Sequence, residues 1–460
     1  MPVNSFEDYP MTWKPELNRN SGPLYLALAD RLERDILDGL LLPGTKLPPQ
    51  RELADFLDIN VSTVSKAFRV CELKGLLSAT IGSGTYVSYN ALTNLRLLAD
   101  KTSTHIIDMG ATVPNADANK LLLAHLKDML SEADAERYFR YNRPGDTTWQ
   151  KDAAVSWLKG FGLETEPESI FFYNGGQNAI AAVLMGLFRE GDRIGVSPHT
   201  YSDMKSVAVM LGIQLFPIKH TDDEIDIDAL VYTCKNYNLK GVYIISDCQN
   251  PTTRTMTAAE RKALASLAKK QDILIIEDGT YSPMSGALPS IASFAPERTI
   301  FIASLSKAIA PGLRLAYLSI PPNYRQRVSD ALYNLNISVS PISAELTARL
   351  IASGQVNEVL RINRQKTALR NQIVDAFLSD YDCRGGEACI FRWLNLPESI
   401  TGTEFEELAW KHGVQVYAAK RFAVGITTPD SAVRLAICAP PEISEMERGL
   451  KILKQLLDGL

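Results

Sequence analysis

The chain has 460 residues, with 48 Lys and Arg against 53 Asp and Glu, a net charge of −5 and 46% hydrophobic residues. That length exceeds what one core can organise and implies two to four domains, while the acidic balance excludes a globally basic nucleic-acid binder and the ordinary composition excludes a disordered or fibrous chain. No apolar run approaches the roughly 18 residues of a membrane-spanning helix, and the six scattered cysteines and five isolated histidines form no metal or disulfide spacing, so the expectation is a soluble cytoplasmic protein with neither membrane nor metal.

The polar opening, residues 1–22, reads as an unstructured arm rather than a signal or transit peptide. Leu24, Leu28, Leu32 and Ile36 then recur at helical spacing and stop at Gly39, a plausible C-terminal cap. After a Pro43-Gly44 turn, a second helix from about Gln50 is expected to bury Leu53, Phe56 and Leu57. Asn60-Val61-Ser62 has the composition of an N-cap and opens a third helix, with Val64, Ala67, Phe68 and Cys71 on one face and an end at Gly75. The stretch LLSATIGSGTYVSY reads as a hairpin around Gly82-Ser83-Gly84. Three short helices and a hairpin over residues 23–90 make a winged helix-turn-helix, and residues 91–112 read as a linker.

From residue 113 strands and helices alternate, which implies a parallel sheet with helical crossovers. SIFFYN, RIGVS, QLFPI, GVYIIS, ILIIED and TIFIAS are the short strand-like runs; QNAIAAVLMGLF and AAERKALASLAKK are helical. After about residue 340 the chain becomes helix-rich, with late strands near CIFRWLNL and VRLAI, as in a smaller α+β lobe reaching residue 460. The fold class is α/β: an N-terminal winged helix, a large parallel-sheet domain and a smaller C-terminal lobe.

In an open parallel sheet, ligands gather at the carboxyl ends of the strands. Here SIFFYN ends in Asn174-Gly175-Gly176-Gln177 and opens a helix, whose free N–H groups can grip a phosphate. GVYIIS leads to Asp247-Cys248-Gln249-Asn250-Pro251, ILIIED ends in Asp278 with Tyr281 three residues later, and TIFIAS ends in Ser304-Leu305-Ser306-Lys307. Each alone has an ordinary explanation as a turn, a cap or a surface lysine. Together they supply a phosphate nest, an amide, an acid with a phenol, and a lysine. That is the set a pyridoxal phosphate site needs: a lysine for a Schiff base, a carboxylate on the pyridine nitrogen, donors for the ring O3′ and for the phosphate.

Residues 106–460 resemble the fold-type I pyridoxal phosphate aminotransferases, in the kynurenine/aminoadipate-type branch, through the motif Ser304, Ser306, Lys307, Pro311, Gly312, Arg314. The resemblance implies Lys307 as the Schiff-base lysine, Asp278 on the pyridine nitrogen, and Tyr281 and Asn250 at O3′. It implies Gly176, Gln177, Ser304, Ser306 and Arg314 at the phosphate, and Tyr201 stacked on the ring. Tyr141 resembles the tyrosine that reaches across a homodimer to the neighbour's phosphate, and Arg434 the arginine that takes an amino acid's α-carboxylate.

Residues 23–90 resemble the GntR head, with GSGTYV as its wing; a GntR head on an aminotransferase-like body is the MocR architecture of bacterial regulators. Over those residues Lys and Arg number seven and Asp and Glu eight, so the head is not basic overall. Charge is instead placed locally: Ser62, Thr63, Ser65, Lys66 and Arg69 lie opposite the apolar face of the third helix. Arg51 stands near the start of the second helix, where the family contacts DNA, and Gly82 and Gly84 offer backbone contacts in the wing. Val61 occupies a position where GntR heads usually carry arginine, and Trp149-Gln150 replaces the family's Leu-Arg pair. The resemblance implies a dimeric regulator reading a double-stranded operator, with a body that binds pyridoxal 5'-phosphate and an amino-acid or amine effector. The alternative is a working aminotransferase with a vestigial or tethering head.

Overall fold

The computed structural model describes residues 11–17, 23–37, 40–41, 44–80, 84–88, 91, 106–141, 148–221, 223–285, 288–425 and 427–460. Gly39, Gly82 and residues 92–105 of the expected linker lie outside the described residues. The chain divides into two compact units, residues 1–106 with 410–413, and residues 107–409 with 414–460. Among the described residues no helix is long and apolar enough to cross a membrane.

The first unit contains α1 (Leu24–Leu37), α2 (Gln50–Leu57), α3 (Val61–Leu73) and the antiparallel pair β1 (Leu77–Thr80) and β2 (Gly84–Val87). Its core is the expected one, with Leu28, Leu32, Ile36, Leu53, Val64, Phe68 and Cys71 buried. Phe56 is half-buried rather than buried, because it sits on the edge of the α2 face that Leu53, Ala54 and Leu57 turn inward. Asn60 caps α3 by accepting from Ser62 N at 2.8 Å. The N-terminal arm is corrected in part: Trp13 is only 5% exposed and joins this core. Its indole Nε1 donates to Asp35 Oδ2 at 2.7 Å, which satisfies a buried donor that would otherwise be costly.

The second unit is built on a seven-stranded sheet. In chain order its elements include β3 (Ile170–Tyr173), α4 (Gly176–Leu187), β4 (Arg193–Val196), α5 (Ser202–Met210), β5 (Gln214–Pro217), β6 (Leu239–Ile244), α6 (Ala258–Gln271), β7 (Leu274–Asp278), β8 (Thr299–Ser304) and β9 (Ala316–Ser319). The strand order is β3-β9-β8-β7-β6-β4-β5. Helices cover both faces, so β7 and β8 are buried along their whole length and read as continuous apolar runs.

The sheet is mostly parallel, as expected, with one strand reversed. β9 runs antiparallel to both of its neighbours, β8 and β3. The sequence reading missed it because "AYLS" is short and follows a loop rather than a crossover helix. Its consequence is large: the segment from Leu305 to Leu315 becomes a tight connection lying across the carboxyl ends of the strands. Lys307 leaves β8 there, and Arg314 enters β9 at the same edge.

The smaller lobe carries β10 (Cys383–Arg384), β11 (Arg392–Asn395), β12 (Tyr417–Ala418) and β13 (Ala432–Leu435) in the order β10-β11-β13-β12, flanked by α7 (Gln355–Phe377) and α8 (Ile443–Asp458). Arg434 on β13 stands opposite Trp393 on one side and Tyr417 on the other.

Candidate functional site

The strand ends meet at a cavity of ≈110 Å³ lined by Thr112, Gly176, Gln177, Ile180, Tyr201, Ile245, Asn250, Asp278, Thr280, Tyr281, Ser304, Ser306, Lys307 and Arg314. All ten residues that sequence reasoning placed at a cofactor within one chain are therefore brought together.

Each is held by an identifiable device. Asp278 closes β7 fully surrounded by protein; its Oδ2 accepts from Tyr243 OH at 2.7 Å, and its Oδ1 accepts from Thr280 N at 3.0 Å and Thr280 Oγ1 at 2.5 Å. Burial pushes its pKa up, against the pull of these donors, which keep a carboxylate oriented in an apolar setting. Tyr281 is buried and packs edge-on against Phe391 with ring centroids 5.4 Å apart. Tyr201 lies along the cavity wall and donates its OH to Asp203 Oδ2 at 2.7 Å.

Lys307 Nζ donates to the carbonyl of Thr112 at 2.5 Å. Burial, with the cations Arg434 and Arg314 nearby, lowers its pKa to about 8. A lysine so placed holds a substantial fraction of neutral, nucleophilic amine close to neutral pH.

At the opposite end, α4 starts without any side-chain cap, because its N-cap is Gly175 at φ 86°. Both features serve one approach. A Cβ on Gly175 would come within 2.8 Å of the Arg314 guanidinium, and one on Gly176 within 3.2 Å of Ser304 Cβ. Arg314 itself has φ 44° and donates to Asn174 O at 3.1 Å, leaving the rest of its fork open. The Ser306 hydroxyl is buried without a hydrogen-bond partner. An uncapped helix start, an arginine fork and a hydroxyl without a partner are the donors a phosphate dianion requires, so the residues present fit pyridoxal phosphate.

Arg434 is fully buried rather than a surface cation at a strand start. Its Nη1 donates to Asn250 Oδ1 and its Nη2 to Gly110 O, each at 2.6 Å, while Nε has no partner. The rings of Phe422, Tyr417 and Phe391 surround its guanidinium at 4.8, 5.4 and 5.6 Å. The loop that carries Asn250 is fixed from behind by Arg261, fully buried, which donates to Asp247 Oδ1 at 2.7 Å and Ser246 O at 3.0 Å.

Gly110, Thr112, Thr280 and Tyr243 were not foreseen. The first two lie in the stretch read as linker and act through backbone carbonyls, which any residue type supplies. Thr280 had a faint signal, a hydroxyl two residues after the acid, as in turns where such a side chain bonds locally. Tyr141 is not brought to the Lys307 cavity within the chain; it is 73% exposed and lines a groove of ≈450 Å³ with Tyr138, Asn336 and Ser338. A second cavity of ≈640 Å³ adjoins the Asn250 loop, lined among others by His199, His220, Thr252, Thr253, Arg384 and Trp393. Among the described residues no group of three His, Cys, Asp or Glu is placed to hold a metal.

In the head, Arg51, Ser62, Lys66 and Arg69 are exposed and Thr63 is half-buried. Arg69 meets Glu72 at 3.4 Å, a surface pair that a phosphate can outcompete. Ser65 differs from the expectation of an open contact, since its Oγ donates to Gln50 Oε1 at 2.6 Å and ties α3 to α2. Gly84 is exposed at φ 114°, with the Lys46 side chain beside it and Lys46 Nζ 5.8 Å from the Tyr86 ring. Lys46, in the turn before α2, is a wing-side cation the sequence reading did not single out.

The chain matches the family model "Aminotransferase class I and II" over residues 104–453 and "Bacterial regulatory proteins, gntR family" over residues 24–87. It is 55% identical over 461 residues to an uncharacterized HTH-type transcriptional regulator, YdeF, of Bacillus subtilis, with 100% of both chains covered. It is 26% identical to PdxR, an HTH-type pyridoxine biosynthesis transcriptional regulator of Corynebacterium glutamicum, over 77% of this chain and 78% of the relative. The crystal structure of the Pyrococcus horikoshii kynurenine aminotransferase superposes with a TM-score of 0.73 at 20% identity, covering 85% of this chain and 99% of the other. That last likeness speaks for the fold alone.

Proposed function

The chain belongs to the MocR-type regulators, a DNA-binding gntR head joined to a class I and II aminotransferase body, and on that premise we propose that it is a transcription regulator whose body binds pyridoxal 5'-phosphate and an amino-acid or amine effector. The observation that carries this reading is the single cavity holding Lys307, Asp278, Tyr281, Asn250 and the Gly176–Ser306–Arg314 donors together.

When bound, the cofactor supplies an aldehyde carbon for amines and an electron-withdrawing pyridinium. Lys307 presents its amine from the loop between β8 and β9. Asp278, held by Tyr243 and Thr280, keeps a proton on the pyridine nitrogen. Tyr281 and Asn250 would hold O3′, Tyr201 would pack on the ring, and Gly176, Gln177, Ser304, Ser306 and Arg314 would receive the phosphate. Arg434 binds the effector's carboxylate through its paired Nη atoms.

A carboxylate there meets the free Nε and competes with the Asn250 amide and the Gly110 carbonyl for the two Nη groups that now donate to them. Engagement of Lys307 in turn releases the Thr112 carbonyl. Both carbonyls belong to the segment through which the chain enters the body after the head. Cofactor and effector thereby make different contacts in two states, the condition for any coupling to operator binding. Residues 23–90 form the DNA-binding domain and 113–460 the ligand-binding domain in this reading, and a cytoplasmic homodimer presents two heads to paired half-sites. Tyr141 reaches the partner's phosphate.

Operator binding measured with and without pyridoxal phosphate, across a panel of amino acids and amines, tests the proposal. Affinity that responds to cofactor and to at least one amine supports it; an affinity indifferent to all of them overturns it. Because Arg434 and Lys307 both stand ready for an amino acid, multiple-turnover assays with an amino donor and a keto acid decide whether the protein is also an aminotransferase.

A further inference from the structure

Cysteine spacing gives no signal of thiol chemistry in this chain, yet the fold brings two thiols together. Cys248 lies on the loop after β6, two residues before Asn250, and Cys389 lies in the smaller lobe just before β11. They are 141 residues apart, both buried, with their Sγ atoms 2.6 Å apart. Cys248 is held there by a bond from its N–H to Thr255 Oγ1 at 3.1 Å and has φ 42°, a left-handed backbone that non-glycine residues seldom adopt. Strain of that kind persists only where surrounding structure enforces it, and it concentrates at functional positions.

A cavity lies next to the pair, with one residue between it and Cys389. Thr252 and Thr253 line the ≈640 Å³ cavity, and the carbonyl of Thr253 touches Cys389 Sγ at 3.8 Å.

We propose that Cys248 and Cys389 form a peroxide-responsive dithiol, which closes reversibly into a disulfide between the two lobes of the body. Cys389 is the attacking sulfur: its contact with Cys248 and the nearby Arg392 charge favour its thiolate, while the same contact and burial hold the proton on Cys248. Cys389 first ionises; its thiolate attacks one oxygen of hydrogen peroxide, the O–O bond breaks, and the departing hydroxide combines with the proton released in that ionisation to leave as water. Cys389 is then a sulfenic acid. The Cys248 sulfur displaces its hydroxyl, forming the S–S bond as the S–O bond breaks, and that hydroxide leaves as water with the Cys248 proton. Two thiols and one peroxide thus give one disulfide and two waters, with two electrons passing from sulfur to oxygen.

The location gives the bond a consequence. β11 pairs with β13 through Trp393 and Arg434, and Arg434 donates to Asn250. A covalent link from Cys248 to Cys389 ties together the same loop and sheet that this hydrogen bond joins, and so restrains their separation. The chemistry of the link does not depend on the cofactor reading.

The test uses the full-length protein in its native state, treated with hydrogen peroxide, then unfolded for thiol counting, intact-mass measurement and peptide mapping. The expected result is loss of two of the six thiols, loss of the mass of two hydrogens, and a peptide joining Cys248 to Cys389, all reversed by dithiothreitol. Cys248→Ser should divert the reaction to oxygen adducts on Cys389; if that variant fails to fold, the wild-type peptide map decides alone. A wild-type protein that keeps all six thiols, gains only oxygen, or links a different pair overturns the proposal.

Discussion

On α3 of the head, Ser62, Lys66 and Arg69 stand in solvent, whereas in the body Asp278, Tyr281, Ser304 and Ser306 are buried. An exposed polar face is stable with or without a partner, so its composition says little about what it meets. A buried carboxylate, phenol or hydroxyl has lost its water and must be satisfied, so each one demands a structural or functional reason. Asp278 meets that demand with three donors, and Ser306 does not meet it at all. The contrast separates a region whose function rests on charge and shape presented outward from one whose function rests on enclosure.

The largest effect should come from Lys307→Ala, which removes the amine at the centre of the enclosed site. No visible absorption band should develop when pyridoxal phosphate is added, while circular dichroism stays native. A band as strong as wild type would remove Lys307 from the chemistry.

In the head the comparably large effect should be on folding rather than on DNA contacts. Trp13→Ala empties a buried indole and strips a donor from Asp35, and should cost about 3–5 kcal/mol in urea unfolding of the head. An unchanged unfolding curve would return the arm to the unstructured state expected from sequence.

Asp278→Asn keeps the shape but loses a charge-assisted hydrogen bond to a protonated ring. Affinity for pyridoxal phosphate, measured by titration of the visible band, should fall about 10- to 100-fold.

The amine of Lys307 supplies a pH test with a definite sign. Its pKa is lowered from 10.5 to about 8. The folded state therefore sheds, between those values, a proton the unfolded chain retains, and this group's contribution to stability improves as pH rises through that window. The rate of band formation should climb about tenfold per pH unit below 8 and level off above it. A rate still climbing steeply well beyond that would mean an ordinary, solvated lysine.

Smallest should be the effect of Lys66→Ala on the open face. Operator affinity should weaken a few-fold, with the salt dependence of binding reduced by about one counterion. A loss confined to one base position, with the salt slope intact, would show that Lys66 reads a base rather than a phosphate.

Much of the enclosed site was legible because its residue types are unusual for their positions. A lysine and an arginine flanking Pro311-Gly312 after an apolar strand, and an acid closing ILIIED, stand out against a buried sheet. The head was legible through periodicity, since Val64, Ala67, Phe68 and Cys71 repeat at helical spacing and are all buried. Backbone contributions were not legible: the Gly110 and Thr112 carbonyls that hold Arg434 and Lys307 carry no side-chain signature. Nor was β9, whose four residues match no long-range pattern until β3 and β8 flank them.

Sequence by itself determined the winged-helix head, the alternating strands and helices, and the residues whose chemistry must be explained, because local periodicity and residue type are local properties of the chain. Tertiary structure alone decided which of them meet. It reversed one strand so that Lys307 and Arg314 share an edge, buried Trp13 in the head, and set Cys248 against Cys389 across 141 residues. Those contacts depend on sheet order and lobe packing, which arise from many weak apolar contacts summed over the whole core and are encoded at no single position.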